Sequence, residues 1–359
     1  MEIPAHIEEA VRDAVDRRLS AELADRGLLL TADDLTAASA EAARRGRDLL
    51  PRVIACCYPG QPQDGVGSTV EFDDHHAAAR IETALAFGAA TAGVLGHGER
   101  GVGPSAGSIE LVCAIFNLGI GLVDSLCDED AATGEALLAL VQSRDLAAAS
   151  EAPRERGWLR AEAPPALAQD PAAAFTVEII ESFFELLHEA YPNGTWLTLR
   201  RAVGAQLCAA LAAERQTVER SPNEIARAQL IECSRLTSVL PFQIIQTLAC
   251  GTDTSREPSR GTQLGEAMWR IDDLVDLCDD ARRGSLNGFL LAAAPTDGGD
   301  GGQSEHDLLT VLERLLASEA IASAAAEAAE RLSGGLQGAS EDRPLFLHFV
   351  QRYAGIMPA

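Results

Sequence analysis

Two groups of acidic residues carry the chemistry that this chain could do. The first is Asp124-Ser125-Leu126-Cys127-Asp128-Glu129-Asp130, which closes the apolar run from Ile109 to Val123. Asp124 and Asp128 lie four apart, so on a helix their carboxylates leave one face about 6 Å apart along the axis. Carboxylates at that spacing can share or bridge a hard divalent cation such as magnesium. Acids crowded at the C-terminal end of a helix also repel one another and oppose its macrodipole, and a cation relieves both. Taken alone, the cluster fits a solvated helix end equally well.

The second group is Asp272-Asp273-Leu274-Val275-Asp276-Leu277-Cys278-Asp279-Asp280, followed at once by Ala281-Arg282-Arg283-Gly284. Asp272, Asp276 and Asp280 predict one ladder of carboxylates along two turns of a helix. A solvated face normally mixes Lys or Arg among its acids at i+4. Here the basic residues come only after the stripe ends, so ion binding is favoured over solvation. The histidines of Asp73-Asp74-His75-His76 point elsewhere: adjacent side chains on a helix diverge by about 100°, and the segment reads as a helix start. No P-loop, dinucleotide fingerprint or Ser-His-Asp order is found.

These clusters need rigid elements to face each other, and the composition supplies helices. The 359 residues are 47% hydrophobic and only 4% aromatic, rich in Ala and Leu, which predicts an all-α chain with a sizeable core. Periodicity predicts helices over Ile7–Arg26, Asp33–Leu50, Asp73–Gly96, the apolar run into Asp124, Ala132–Ala149, Phe175–Ala190, Trp196–Arg220, Asn223–Cys250, the second acidic segment, Glu305–Leu332 and Pro344–Gly355. Breaks fall at Pro59–Gly67, Gly98–Gly107, a Pro/Ala/Arg-rich connection ending near Pro171, Thr252–Gly261 and Pro295–Gly302. No repeat interrupts this series, so the expectation is one domain over 1–359, with N-terminal helices in 1–95 and a catalytic core in 96–359.

The net charge of −25 excludes nucleic acid and anionic membrane surfaces as partners, but not a diphosphate bridged by divalent cations. The longest apolar run, Leu111 to Val123, is short for a membrane span, and no signal peptide is visible. The eight cysteines form no CxxC pair and read as reduced core residues of a cytoplasmic protein; the vicinal Cys56-Cys57 has no evident purpose. Phe116, Phe183, Phe184, Trp196, Phe242 and Trp269 lie on helices near the clusters. They read mainly as core, with a minority available to line a cavity where aromatic faces stabilise cations. Gly119 and Gly121, just before Asp124, predict close packing or room for a ligand.

Two aspartate-rich helices 148 positions apart resemble the class I isoprenoid synthase fold, which covers terpene cyclases, chain-elongating prenyltransferases and the squalene and phytoene synthases. The resemblance runs over most of 96–353. It implies a cluster of three magnesium ions held by Asp124, Asp128, Asp272, Asp276 and Asp280, and a prenyl diphosphate substrate, farnesyl or geranylgeranyl diphosphate. The carbocation formed would be cyclised in a closed apolar cavity. Within the family, Asp272, Asp276 and Asp280 fall on the three ligand positions of the cyclase second motif. Ser234-Arg235-Leu236-Thr237 resembles the cyclase segment with a diphosphate-sensing arginine. Arg352-Tyr353 resembles the Arg-Tyr pair near the end of bacterial cyclases. By this likeness Arg235, Arg282, Arg283, Arg352 and Tyr353 would bind the diphosphate, with Asp124, Asp128, Arg352 and Tyr353 central to its ionisation.

Ala281-Arg282-Arg283-Gly284 is instead similar to the run that follows the second motif in head-to-head condensing synthases. Chain elongation is disfavoured, because Ala131-Ala132-Thr133-Gly134 stands where an arginine pair usually follows the first motif. The sequence therefore implies a terpene cyclase, with head-to-head synthase, chain elongator and non-catalytic prenyltransferase partner as alternatives. A homodimer is compatible with each.

Overall fold

Apolar side chains recurring every three or four residues give each helix one stripe to bury. In the first helix, α1 (Ala5–Asp25), that stripe is Ile7, Val11, Val15, Leu19 and Leu23, all buried. The structure is a computed structural model and describes residues 3–59, 75–96, 104–143, 145–192, 194–218, 227–251, 259–283, 286–293, 305–339 and 341–356. Among them are sixteen α-helices and no strand, so the chain is an all-α helical bundle. After α1 come α2 (Ala32–Cys57), α3 (His75–Leu95), α4 (Ala106–Glu129), α5 (Ala131–Ser143), α6 (Leu146–Glu151), α7 (Pro165–Gln169) and α8 (Pro171–Ala190). They are followed by α9 (Leu197–Val218), α10 (Arg227–Cys250), α11 (Arg260–Val275), α12 (Leu277–Arg283), α13 (Gly288–Ala293), α14 (Glu305–Ala317), α15 (Ala320–Gly335) and α16 (Arg343–Tyr353).

Several helix starts follow side-chain capping. Ser105 accepts from the Ser108 N–H to open α4, Ser259 from Thr262 to open α11, and Asp170 from Ala173 to open α8, with Pro171 in its first turn. Three expected helices outside the acidic motifs differ from expectation. The second runs through Pro51 to Cys57 rather than stopping at Leu50. Pro51 lacks the N–H for one helical bond, but Leu49, Val53 and Cys57 are all buried and their packing outweighs that loss. The expected helix Ala132–Ala149 is two, since Asp145 caps α6 by accepting from the Ala148 N–H. The expected Glu305–Leu332 is also two, α14 and α15.

Helices α4 and α10 form the middle of the bundle. α4 packs on α3, α5, α8 and α10, while α10 packs on α3, α9 and α11, and α15 covers α11 and α1. The main hydrophobic core draws residues from Ile3 to Ile356, and a small second cluster joins Ala86, Ala90, Leu345 and Phe349. Among the described residues only α4 is long and apolar enough to cross a membrane. It is instead a core helix, with Cys113, Ala114 and Ile115 fully buried. All eight cysteines are free, and five of them are buried. Asp73 and Asp74 and the side chains of His75 and His76 lie outside the described residues, as do most of the expected loops 59–67, 98–107, 252–261 and 295–302.

Candidate functional site

The first acidic motif occupies the last turns of α4. Asp124, Asp128 and Glu129 are exposed there, on a helix whose preceding residues are core. Close packing fixes this helix end: a Cβ on Gly134 of α5 would stand 2.6 Å from the Cys127 Cα, so the neighbouring helix can approach the motif only with glycine at that point. Asp130 ends α4, and its carboxylate accepts from the N–H groups of Ala132 and Thr133 to start α5.

The second motif departs from the expected single helix. α11 ends at Val275, Asp276 stands at φ −90° and ψ 7°, and α12 begins at Leu277. The i→i−4 register survives this kink, because the Asp276 N–H donates to the Asp272 carbonyl at 2.9 Å and the Asp280 N–H to the Asp276 carbonyl at 2.7 Å. The three carboxylates therefore keep helical spacing along a bent axis. Asp273 is buried and turned away from the ladder, accepting from the N–H groups of Gly288 and Phe289 at the start of α13. Burial and the charge of Asp272 push its carboxyl up to about 8.

The two motifs lie close enough for the charges of the first to act on the second. Burial pushes Asp272 up to about 7, a rise that a Tyr353 hydrogen bond opposes and to which the charges of Asp276, Asp124 and Asp280 add. Asp280 is pushed up to about 6, with burial the main cause and the charges of Asp276 and Asp128 adding to it. Asp124 is likewise pushed up to about 7 by burial first, then by Glu214 and Asp128. Solvent reaches Asp124 and Asp272, yet protein atoms surround them closely enough to disfavour their charge. Carboxylates with both properties line a wet recess rather than a convex surface.

A third wall comes from α9. Glu214 is pushed up to about 7 by burial and by the charge of Asp128, and it acts in turn on Asp124 and Cys127. Nothing in the acidic motifs pointed to it. The available signal was its place on an apolar stripe, since Leu207 and Leu211 precede it by seven and three residues on the same helix face.

The expected diphosphate donors divide. Tyr353, at the end of α16, donates to Asp272 and to Asp276, the latter at 3.0 Å. Burial and these two carboxylates push the phenol far above its usual range, so it keeps its proton and remains a donor. Arg283 is exposed beside Asp280, whose proton affinity its charge lowers. Arg352 is exposed next to Tyr353 and makes no ion pair with the described residues. The other two are engaged: Arg282 pairs with Glu8 at 2.7 Å and with Asp279, while Arg235 holds Glu232 at 2.8 Å and Glu266 at 3.0 Å.

Below the recess lies an apolar pocket. Phe116, Gly119, Ile120 and Val123 of α4 face Ile179 and Phe183 of α8, with Leu207 and Leu211 of α9 closing one side. Phe116 and Phe183 stand 5.4 Å apart between ring centroids. Gly119 lines this pocket within a close approach to Ile179, whereas Gly121 faces open space. The pocket is narrow, about 20 Å³, which is room for about one water. Of the other expected aromatics, Phe184 packs on Trp158, Trp196 on Tyr191, Phe242 on Phe87 and Phe346, and the Trp269 indole donates to Ser234.

The donor set suits magnesium in kind, being hard carboxylate oxygens with a local excess of negative charge. Among the described residues no three His, Cys, Asp or Glu side chains converge on one point, so no single ion has a ready three-carboxylate cage. The fold defines an all-α protein with an acidic recess over an apolar pocket. Comparison with protein-family models, with curated proteins and with solved structures finds no match for the chain.

Proposed function

We propose that this chain is a class I isoprenoid synthase that ionises a prenyl diphosphate and cyclises the resulting cation. The observation that carries the reading is the charge effect of the first motif on the second, Asp124 on Asp272 and Asp128 on Asp280, above an apolar pocket. Carboxylates whose ionisation is disfavoured by the charges of a neighbouring set are unfavourable without a cation between them. Bound magnesium would supply Lewis-acid stabilisation of the departing diphosphate. Asp124 and Asp128 on one wall, and Asp272, Asp276 and Asp280 on the other, would hold it. The Tyr353 hydroxyl, Arg352 and Arg283 would donate to the diphosphate oxygens. Arg282 and Arg235 would serve only by leaving their glutamates.

The hydrocarbon end has the apolar pocket to enter, and its walls keep water from a cation. Pockets for such ligands are commonly about 300–1,000 Å³, so substrate entry must part Phe116, Phe183 and their neighbours. Farnesyl and geranylgeranyl diphosphates are the substrates proposed. The Arg283 beside Asp280 favours a second reading, head-to-head condensation, since it belongs to the Ala-Arg-Arg-Gly run.

The test supplies geranyl, farnesyl or geranylgeranyl diphosphate singly with magnesium, then adds isopentenyl diphosphate or NADPH. The expected product is a hydrocarbon or alcohol of unchanged carbon number, formed without either addition and lost with excess chelator. A doubled carbon number would replace the cyclase reading by the head-to-head one. Activity unaffected by chelator would remove the metal from the reading, and no conversion in any arm would favour a non-catalytic partner subunit.

A further inference from the structure

The segment after the second motif folds back onto it. Asn287 is buried, with 1% of its surface exposed, and every polar group of its side-chain amide is used. Nδ2 donates to the Asp273 carbonyl at 2.8 Å and to Asp280 Oδ2 at 2.9 Å, while Oδ1 accepts from the Leu290 N–H at 3.0 Å. The amide orientation is fixed by chemistry, since turning it over would set oxygen against two acceptors. Asn287 thus spans the kink at Asp276, joining the backbone one turn before it to the carboxylate one turn after it.

Its own position is fixed from three sides. Its Oδ1 caps the first turn of α13, and Asp273 receives the next two N–H groups, of Gly288 and Phe289. Gly288 allows the close approach: a Cβ there would stand 2.8 Å from the Trp269 ring and 2.9 Å from Asp273 Oδ2. Trp269 is anchored in turn to Ser234 at 3.0 Å. A buried amide held this firmly fixes the carboxylate that it touches.

We propose that Asn287 is a positioning residue for Asp280, holding Oδ2 so that the carboxylate meets a divalent cation with its remaining oxygen in one orientation. The inference rests on the metal-dependent reading above and assigns that site a support which neither acidic motif contains. Carboxylate ligands are commonly oriented by such outer hydrogen bonds, whose loss costs about 10–100-fold in metal affinity.

The experiment measures Mn2+ binding to the full chain, with and without inorganic pyrophosphate, by the electron paramagnetic resonance of free Mn2+. Asn287→Ser, which keeps a short side chain able to cap α13, and Asn287→Asp, which keeps the size and loses the donor, are each compared with wild type. Thermal melts in chelator accompany each. The expected result is a 10–100-fold weaker Mn2+ affinity in both variants, with cooperative melts retained. In an Asp280→Asn background, Asn287→Ser should cost no further affinity, because its effect acts through that carboxylate. An equal loss with and without the Asp280 carboxylate, unchanged affinity, or loss of the fold in both variants would assign Asn287 a purely structural role and overturn the inference. Absence of Mn2+ binding by wild type would instead remove the metal reading itself.

Discussion

The two acidic walls hold similar residues in different ways. On α4, Asp124 accepts no hydrogen bond from the described residues, and its place is set by the helix and by Gly134 packing behind Cys127. On α11 and α12, Asp272 and Asp276 share the Tyr353 hydroxyl, Asp280 is held by Asn287, and Asp273 ties the wall to α13. The second wall is braced by side-chain hydrogen bonds before any ligand arrives, whereas Asp124 on the first is placed by its helix. Preorganised ligands lose less freedom on binding, so the braced wall should dominate cation affinity and the other should complete the site.

The largest expected effect comes from removing carboxylates. Asp276→Ala and Asp124→Ala should each lower diphosphate release by about 10²–10³-fold, since several kcal/mol of charge stabilisation are lost with a ligand. Circular dichroism should show the helical content unchanged. If the walls differ as their bracing implies, Mn2+ affinity falls further in Asp276→Ala than in Asp124→Ala; equal losses would break the comparison. Unfolding of both variants would make the carboxylates structural and move the site elsewhere.

A smaller effect isolates the bracing. Tyr353→Phe keeps the ring of α16 and removes only the donor to Asp272 and Asp276. Metal affinity should drop about 10-fold, the low end for an outer hydrogen bond. Asp272 should also become harder to ionise, because the hydrogen bond that opposes its upward shift is gone. An infrared titration of the carboxylates that shows no change would remove Tyr353 from the wall.

The smallest effect is on stability, and its sign follows from the raised proton affinities. Asp124 and Asp272 rise from 3.8 to about 7, and Glu214 from 4.5 to about 7. Between about pH 4 and 7 the folded chain therefore binds more protons at these groups than the unfolded chain does. Their contribution to stability is present below about pH 4 and is lost as pH rises through about 7. Glu214→Gln removes one such group. Without metal, its melting temperature should exceed that of wild type by a few degrees at pH 8 and approach it at pH 5. Magnesium at pH 8 should narrow the gap by stabilising wild type. A gap that does not change with pH would show that Glu214 does not share the recess.

The Glu214 prediction marks where the sequence became insufficient. A glutamate seven residues after Leu207 looks like one more charge at a helix end, and only the packing of α9 against the recess makes it a neighbour of Asp124. Arg235 and Arg282 show the limit in the opposite sense. Their motifs were legible, but glutamates from other turns and from α1 engage them, and pairings that distant leave no local pattern. Asn287 was also hidden, because a single buried asparagine has no periodicity and its partners lie seven and fourteen residues back.

By itself the sequence determined what local physics controls. Apolar periodicity and Ala/Leu content set the all-α class and placed most helices, because a helix is closed by bonds between residues four apart. The spacing of Asp124 with Asp128, and of Asp272, Asp276 and Asp280, fixed which carboxylates share a face, and the helical register holds even across the kink at Asp276. Tertiary structure decided the rest: that the charges of the first face reach the second, that Glu214 and Tyr353 join them, that Pro51 stays inside a helix and that the ladder bends. Each depends on contacts between residues tens to hundreds of positions apart. Whether those contacts form is set by burial and steric fit over the whole bundle, which no short window of sequence contains.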